Sequence, residues 1–178
     1  IKSPTFSYFR FPMYELAGMK LGIIGYGNIG KRVTEIALAF GMEVYVCSRS
    51  PKKDERVKFV SVEEIFSQCD FIALHCPLNK STKEIVSKKY LSLCKKRAVI
   101  INTSRGGTVN ENDLAEALKS GIIAGAAVDV VSEEPMKEYN PLLTAPNCII
   151  TPHTAWAPVQ TRQRLIKIAE ENLRAFMN

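Results

Sequence analysis

Six short apolar runs, each followed by residues with helical spacing, constrain this chain more than any other feature. They are KLGIIG (20–25), EVYVC (43–47), DFIALHC (70–76), AVIIN (98–102), AGAAVDVV (124–131) and CIIT (148–151). The runs are continuously apolar rather than alternating, which is how strands buried on both faces of a parallel sheet read. Between and after them lie helical candidates at Asn28–Phe40, Val62–Gln68, Lys88–Leu93, Glu111–Lys119 and Val159–Met177. Asn110 is placed to cap the fourth helix, and Gly121 stands just beyond its end. Pro158 suits the first turn of the last, whose Leu165, Ile168, Ala169, Leu173 and Phe176 form one apolar stripe. A short FV (59–60) adds a further strand. Alternating strands and helices predict an α/β fold, a doubly wound parallel sheet with helices on both faces in three α/β/α layers.

The length, 178 residues, is that of a single domain. Apolar residues at 46% and charged residues at 24% rule out a disordered or low-complexity chain. No apolar run approaches the roughly 18 residues of a membrane span, so no membrane partner is expected. The net charge of +6 fits nucleic acid, phosphorylated cofactors or carboxylate substrates equally. Because the basic residues are spread along the chain, a small-molecule partner is expected and nucleic acid is not. The cluster Lys88, Lys89, Lys95, Lys96 and Arg97 reads as a solvated helix face. The five cysteines contain no C-x-x-C pair, and Cys47, Cys69 and Cys148, in or beside apolar runs, read as reduced, buried packing residues. The opening IKSPTFSYFRFP has neither an initiator Met nor a signal-peptide order, so the expectation is a cytoplasmic chain and a piece of something longer. Residues 1–18 carry Phe6, Tyr8, Phe9 and Phe11. They read as a surface loop or as an arm on a second subunit of a homodimer, with the dinucleotide-binding domain at 19–178.

Gly25-Tyr26-Gly27-Asn28-Ile29-Gly30 is a G-x-G-x-x-G that ends an apolar run and opens an amphipathic helix, the setting of a Rossmann-type dinucleotide site. Gly25 permits the tight turn, Gly27 admits a pyrophosphate, and Gly30 allows close helix–strand packing. Free N–H groups at the helix start would then hold phosphate oxygens. An NAD site ordinarily places an acid at the end of the second strand for the ribose hydroxyls. Here that place reads Ser48-Arg49-Ser50, with Lys52 and Lys53 following and Asp54 the nearest acid. A hydroxyl and a guanidinium suit a 2′-phosphate, so NADP(H) is favoured over NAD(H). An exposed basic loop without a ligand would read the same way.

Arg105, Glu134 and His153 each follow an apolar run, beyond the carboxyl end of a parallel strand, where such sheets bind ligands. Singly they are a surface cation, a loop acid and a loop histidine. Together they are a cation, an acid and an imidazole at the nicotinamide end of a cleft. His75 also ends a strand, but it lies inside LHCPL and reads as lining the pocket through its backbone.

With these residues placed, the chain resembles the cofactor-binding domain of the D-isomer-specific 2-hydroxyacid dehydrogenases. The resemblance rests on GIIGYGNIG, LHCPLNKST, NTSRGGTVNENDLAEAL, GAAVDVVSEEP and TPHTAW, in that order, from about Tyr14 onward. It implies that Arg105 grips the substrate, that Glu134 is the acid of the set and that His153 is its acid/base. It also implies that Asp129 holds the nicotinamide carboxamide, and that His75, Cys76, Pro77, Thr82 and Thr103 join the glycine turn around the cofactor. HTAWAP with Trp156 in the substrate pocket is most similar to the glycerate dehydrogenase and hydroxypyruvate/glyoxylate reductase branch. The expected reaction is hydride transfer between a nicotinamide cofactor and a small 2-keto or 2-hydroxy acid. Arg105 would polarise the carbonyl, and protonated His153, held by Glu134, would supply the proton. No metal is expected. The family's substrate domain has no counterpart here, so the fragment is expected to bind cofactor without turnover. The alternative is a non-catalytic dinucleotide sensor, as in the related C-terminal-binding-protein corepressors.

Overall fold

The computed structural model describes residues 13–50 and 53–177. The aromatic arm expected at 1–18 falls mostly outside them, as does Lys52. Seven strands form one sheet, all parallel: β1 (Lys20–Ile24), β2 (Glu43–Cys47), β3 (Lys58–Phe59), β4 (Phe71–Leu74), β5 (Val99–Asn102), β6 (Gly125–Val128) and β7 (Cys148–Ile150). Their spatial order is β3-β2-β1-β4-β5-β6-β7, so the winding reverses between β1 and β4. That is the switch point at which a doubly wound sheet opens a crevice beyond its strand ends.

The helices are α1 (Asn28–Ala39), α2 (Val62–Gln68), α3 (Lys88–Leu91), α4 (Glu111–Lys119) and α5 (Val159–Met177). Ile65 and Phe66 of α2, Leu91 of α3 and Leu114 of α4 pack on one face of the sheet, with Ile72, Leu74 and Ile100. Ala37 of α1 packs on the other, against Ile23, Val44 and Val46. The doubly wound expectation therefore holds. Local signals act where their chemistry requires. The Ser61 hydroxyl and the Glu64 carboxylate cap α2 reciprocally. The Asn110 side chain accepts from the Asp113 N–H at 3.0 Å, and Gly121 takes a φ of +64° beyond α4.

Several expectations change. The strand expected over 124–131 stops at Val128, where Asp129 turns its carboxylate toward the 151–155 turn. The third helix closes at Leu91 rather than Leu93. Cys69 is buried, whereas Cys47 and Cys148 are only half-buried. No residue of α5 is buried among the described residues, so its apolar stripe faces outward.

The basic cluster is not one solvated face either. Lys95 Nζ and Arg97 Nε both bond Asp70 Oδ1, at 2.9 and 2.7 Å, while the Lys20 N–H donates to Oδ2 at 2.9 Å. Asp70 also links three strands through its backbone, donating to the Lys20 carbonyl and accepting from the Val99 N–H. This carboxylate, 3% exposed, thus clamps the amino edge of β1, β4 and β5. Burial pushes its pKa up, but the Lys20 N–H and the Lys95 and Arg97 cations outweigh burial and leave it below the usual value. A folded-state pKa lower than the unfolded one gives stability that is present above about pH 4 and is lost as pH falls through the folded value. Asp70→Asn is therefore expected to lower the unfolding free energy at neutral pH by roughly 1–3 kcal/mol. The gap from wild type should close on acidification. Urea titrations at several pH values check this, and coincident curves at neutral pH would refute the clamp.

Candidate active site

The crevice is built by the turn from β1 into α1. Gly25 has a φ of +103°, and a Cβ there would overlap the backbone of His75 at the end of β4. Its N–H donates to the Cys47 carbonyl at 2.9 Å, and the His75 N–H donates to the Ile24 carbonyl at 2.8 Å. One glycine thereby joins the ends of β1, β2 and β4. Gly30 lies so close beneath the turn that a Cβ would collide with the Gly25 carbonyl. Gly27, the N-cap of α1, behaves differently. A Cβ there would meet nothing within 4 Å, and no side chain caps the helix start. The amides of a 12-residue helix thus open onto free space that a side chain would fill, which fits a pyrophosphate. Asn28 and Ile29 are exposed beside it.

A cavity of about 470 Å³ extends from this turn, within the range of small-ligand sites. Of the expected cofactor residues, Gly25, Gly27, Ser48, Arg49, Ser50, His75, Cys76, Pro77 and Thr82 border it. Thr82 shapes the wall, donating its hydroxyl to the Pro77 carbonyl at 2.6 Å. His75 contributes more than backbone. Its Nε2 is buried with no hydrogen-bond partner among the described residues, and burial pushes the imidazole pKa down. Val62 and Ile85, absent from the sequence-based set, supply apolar wall.

The second group gathers at the ends of β5, β6 and β7. Asn102 closes β5 wholly buried. Its Nδ2 donates to the Arg105 carbonyl at 3.0 Å and to the Thr108 hydroxyl at 3.3 Å, and its Oδ1 accepts from the Ser104 N–H at 3.0 Å. Arg105 therefore has a fixed backbone under an exposed guanidinium, whose Nη1 donates to the Ser104 carbonyl at 2.7 Å. Gly106 follows so close to Val131 that any Cβ would overlap its carbonyl, which presses the Arg105 loop against the Glu134 loop. Glu111, in the first turn of α4, steadies that second loop by accepting from the Ser132 N–H at 2.6 Å.

His153 has a φ of +52°, uncommon for a side chain of its size. Asp129 accounts for it. The Asp129 carbonyl accepts from the His153 N–H at 2.8 Å. Its Oδ1 accepts from the Thr151 hydroxyl and the Thr154 N–H, and its Oδ2 from the Ala155 N–H at 2.8 Å. So held, His153 places Nδ1 2.7 Å from Glu134 Oε2. The hydrogen bond to His153 lowers the Glu134 pKa and keeps it a carboxylate. Asp129, Glu134 and His153 border a second hollow of about 550 Å³. Arg105, Thr103, Trp156 and the helix residues Asn28, Ile29 and Gly30 border neither cavity. Trp156 is 52% exposed, three residues beyond His153.

Residues 2–155 match the family model of the D-isomer specific 2-hydroxyacid dehydrogenase, NAD binding domain. The chain belongs to this family. A hydroxypyruvate reductase of Blautia hydrogenotrophica is 47% identical over 178 residues, covering 98% of this chain and 55% of the relative. A glycerate dehydrogenase of Methylorubrum extorquens is 44% identical, covering 99% of this chain and 55% of the relative. Among solved structures, an acyclic imino acid reductase (Bsp5) in complex with NADPH and D-Arg superposes with a TM-score of 0.88 at 34% identity, over 96% of this chain and 55% of that one. A Staphylococcus aureus NAD-dependent formate dehydrogenase in complex with NAD gives 0.86 at 32%, over 93% and 50%. The chain spans about half the length of the curated relatives it matches.

In this member of the 2-hydroxyacid dehydrogenases, sequence reasoning missed Asn102 and Glu111. Asn102 did leave a trace, as the lone polar residue closing the run AVIIN. Glu111 left none, because its partners lie 21 and 29 residues away. Replacing Asn102 by Ala strands the Ser104 amide and leaves the Arg105 carbonyl to Thr108, whose hydroxyl and N–H also donate to it at 2.6 and 3.2 Å, and is expected to cost about 1–3 kcal/mol of stability. Thermal or urea unfolding of the variant reads this directly. An unchanged midpoint would mean that the 102–108 loop holds itself.

Proposed function

We propose that the protein to which this chain belongs is an NADP(H)-preferring reductase of small 2-keto acids, hydroxypyruvate or glyoxylate, made as a cytoplasmic homodimer. The observation that carries the reaction is the His153–Glu134 pair. Nδ1 is committed to a carboxylate at 2.7 Å, which leaves Nε2 as the nitrogen that exchanges a proton with substrate. The bound cofactor supplies the hydride. Arg105 binds the substrate carboxylate through its exposed guanidinium and polarises the carbonyl oxygen. His153, protonated and braced by ionised Glu134, gives its Nε2 proton to that oxygen. In the reverse direction neutral Nε2 takes the hydroxyl proton. Asp129 retains acceptor capacity on Oδ2, which serves the carboxamide role that the family resemblance implies. Trp156 lies three residues beyond His153 and is half exposed, consistent with a wall of the substrate pocket.

For the cofactor, the supporting residues are Ser48, Arg49 and Ser50, which border the cavity where an acid would otherwise meet the ribose. A guanidinium on a 2′-phosphate contributes about 1.5–3 kcal/mol, roughly 10- to 150-fold in affinity. Free cysteines throughout the described residues fit a reducing compartment. The outward apolar stripe of α5 fits a protein with more to pack against than this domain.

Two measurements test the reading. His153→Ala in the complete gene product should lower kcat for hydroxypyruvate by about 10²–10⁴-fold with the cofactor Kd unchanged, and near-normal turnover would overturn the assignment. Titrating the 178-residue chain with NADPH and NADH should show tighter NADPH binding that Arg49→Ala largely abolishes. Equal affinities in the wild type would return the cofactor to NAD(H).

A further inference from the structure

Two tethers tie the end of β2 and the chain that follows it to the glycine turn. The first is the Gly25 N–H on the Cys47 carbonyl, at 2.9 Å. The second lies beyond Ser48–Ser50, where the Tyr26 hydroxyl donates to Asp54 Oδ2 at 2.6 Å. Tyr26 is the middle residue of Gly25-Tyr26-Gly27. It is 3% exposed, and its ring meets Phe59 of β3 edge-on at 5.6 Å between centroids. Packing therefore aims the hydroxyl.

Asp54 is the first acid after β2. Loose, it would bring a negative charge into the region read here as the 2′-phosphate site. Instead its carboxylate is clasped from both sides. Arg56 places its N–H and Nε on Oδ1 at 3.2 and 2.8 Å and Nη2 on Oδ2 at 2.7 Å, while Tyr26 adds its hydroxyl to Oδ2. The side chain retains only 13% exposure, although Arg56 stays largely in solvent. A guanidinium cancels the charge, and a phenol with a fixed ring decides where the pair sits.

We infer that Tyr26 is a positioning residue for cofactor choice: its hydroxyl latches the Asp54–Arg56 pair to the glycine turn and keeps the carboxylate away from the adenosine 2′-position, so that Arg49 faces a phosphate without a competing anion. Tyr26 touches no reacting atom in this scheme. The inference rests on the 2′-phosphate reading above, and its test separates the two.

Tyr26→Phe keeps the ring against Phe59 and removes only the hydroxyl. By fluorescence titration at low salt, it should weaken NADPH binding about tenfold and leave NADH within about twofold, so the preference ratio moves toward NADH. In an Asp54→Asn background the same Tyr26→Phe change should leave the ratio where it was, because no carboxylate remains to be held. That cycle is a readout a merely structural tyrosine would not give. The latch is overturned if Tyr26→Phe leaves the ratio unchanged, if it weakens both cofactors equally, or if its effect persists with Asn at 54. A wild-type chain that binds both cofactors alike overturns the 2′-phosphate reading, and the latch with it. A wild-type NADPH preference that survives Tyr26→Phe overturns the latch alone.

Discussion

Seven strands running the same way can be joined only by connections that cross a face of the sheet, and this requirement fixes where the functional residues stand. Every crossover delivers the chain back to the amino edge and releases it at the carboxyl edge. Residues distant in sequence, from Gly25 through Ser48, His75 and Arg105 to His153, therefore gather along one rim. Where the winding reverses, between β1 and β4, no connection fills the rim, and the cavity opens there. Its floor depends on one close approach, that of Gly25 to the His75 backbone. Any side chain at Gly25 would force these strand ends apart.

Along the rim, buried polar side chains hold exposed ones. Asn102 fixes the backbone of Arg105 and leaves the guanidinium exposed. Asp129 fixes the turn of His153 and leaves the ring exposed. In each case an amide or carboxylate is nearly out of solvent and a neighbouring functional group is in it. A buried polar group costs free energy unless its bonds are made. The two holders therefore favour one loop conformation strongly, and the side chains of Arg105 and His153 inherit that preference without being buried themselves.

Much of this was legible in the sequence, and for identifiable reasons. Strands buried on both faces leave continuous apolar runs, and a glycine turn between a strand and a helix leaves its spacing, so the sheet and the crevice could be placed. The strand-end rule places Arg105, Glu134 and His153 on one rim from sequence alone. What stayed hidden was pairing across the sheet. Lys95 and Arg97 look like surface charge until Asp70, 25 and 27 residues earlier, is brought beside them. Glu111 looks like an ordinary first-turn acid until the Ser132 loop reaches it. The α5 stripe has the periodicity of a buried helix, and periodicity says nothing of which surface covers it. The sequence marks Asp129 through one role, whereas its grip on the turn beside His153 depends on bonds to residues 22 to 26 positions away.

The Asp70 clamp lies at the amino edge, and the candidate site lies at the carboxyl edge. A strand of four residues puts about 13 Å between them, beyond the reach at which substitutions ordinarily couple. Part of the stability is thus lodged away from the rim that carries the candidate site, beyond what Asn102 holds there. Loops at the rim can change while the far edge keeps its own bonds. A fold divided in this way tolerates experiment at one end because it is secured at the other.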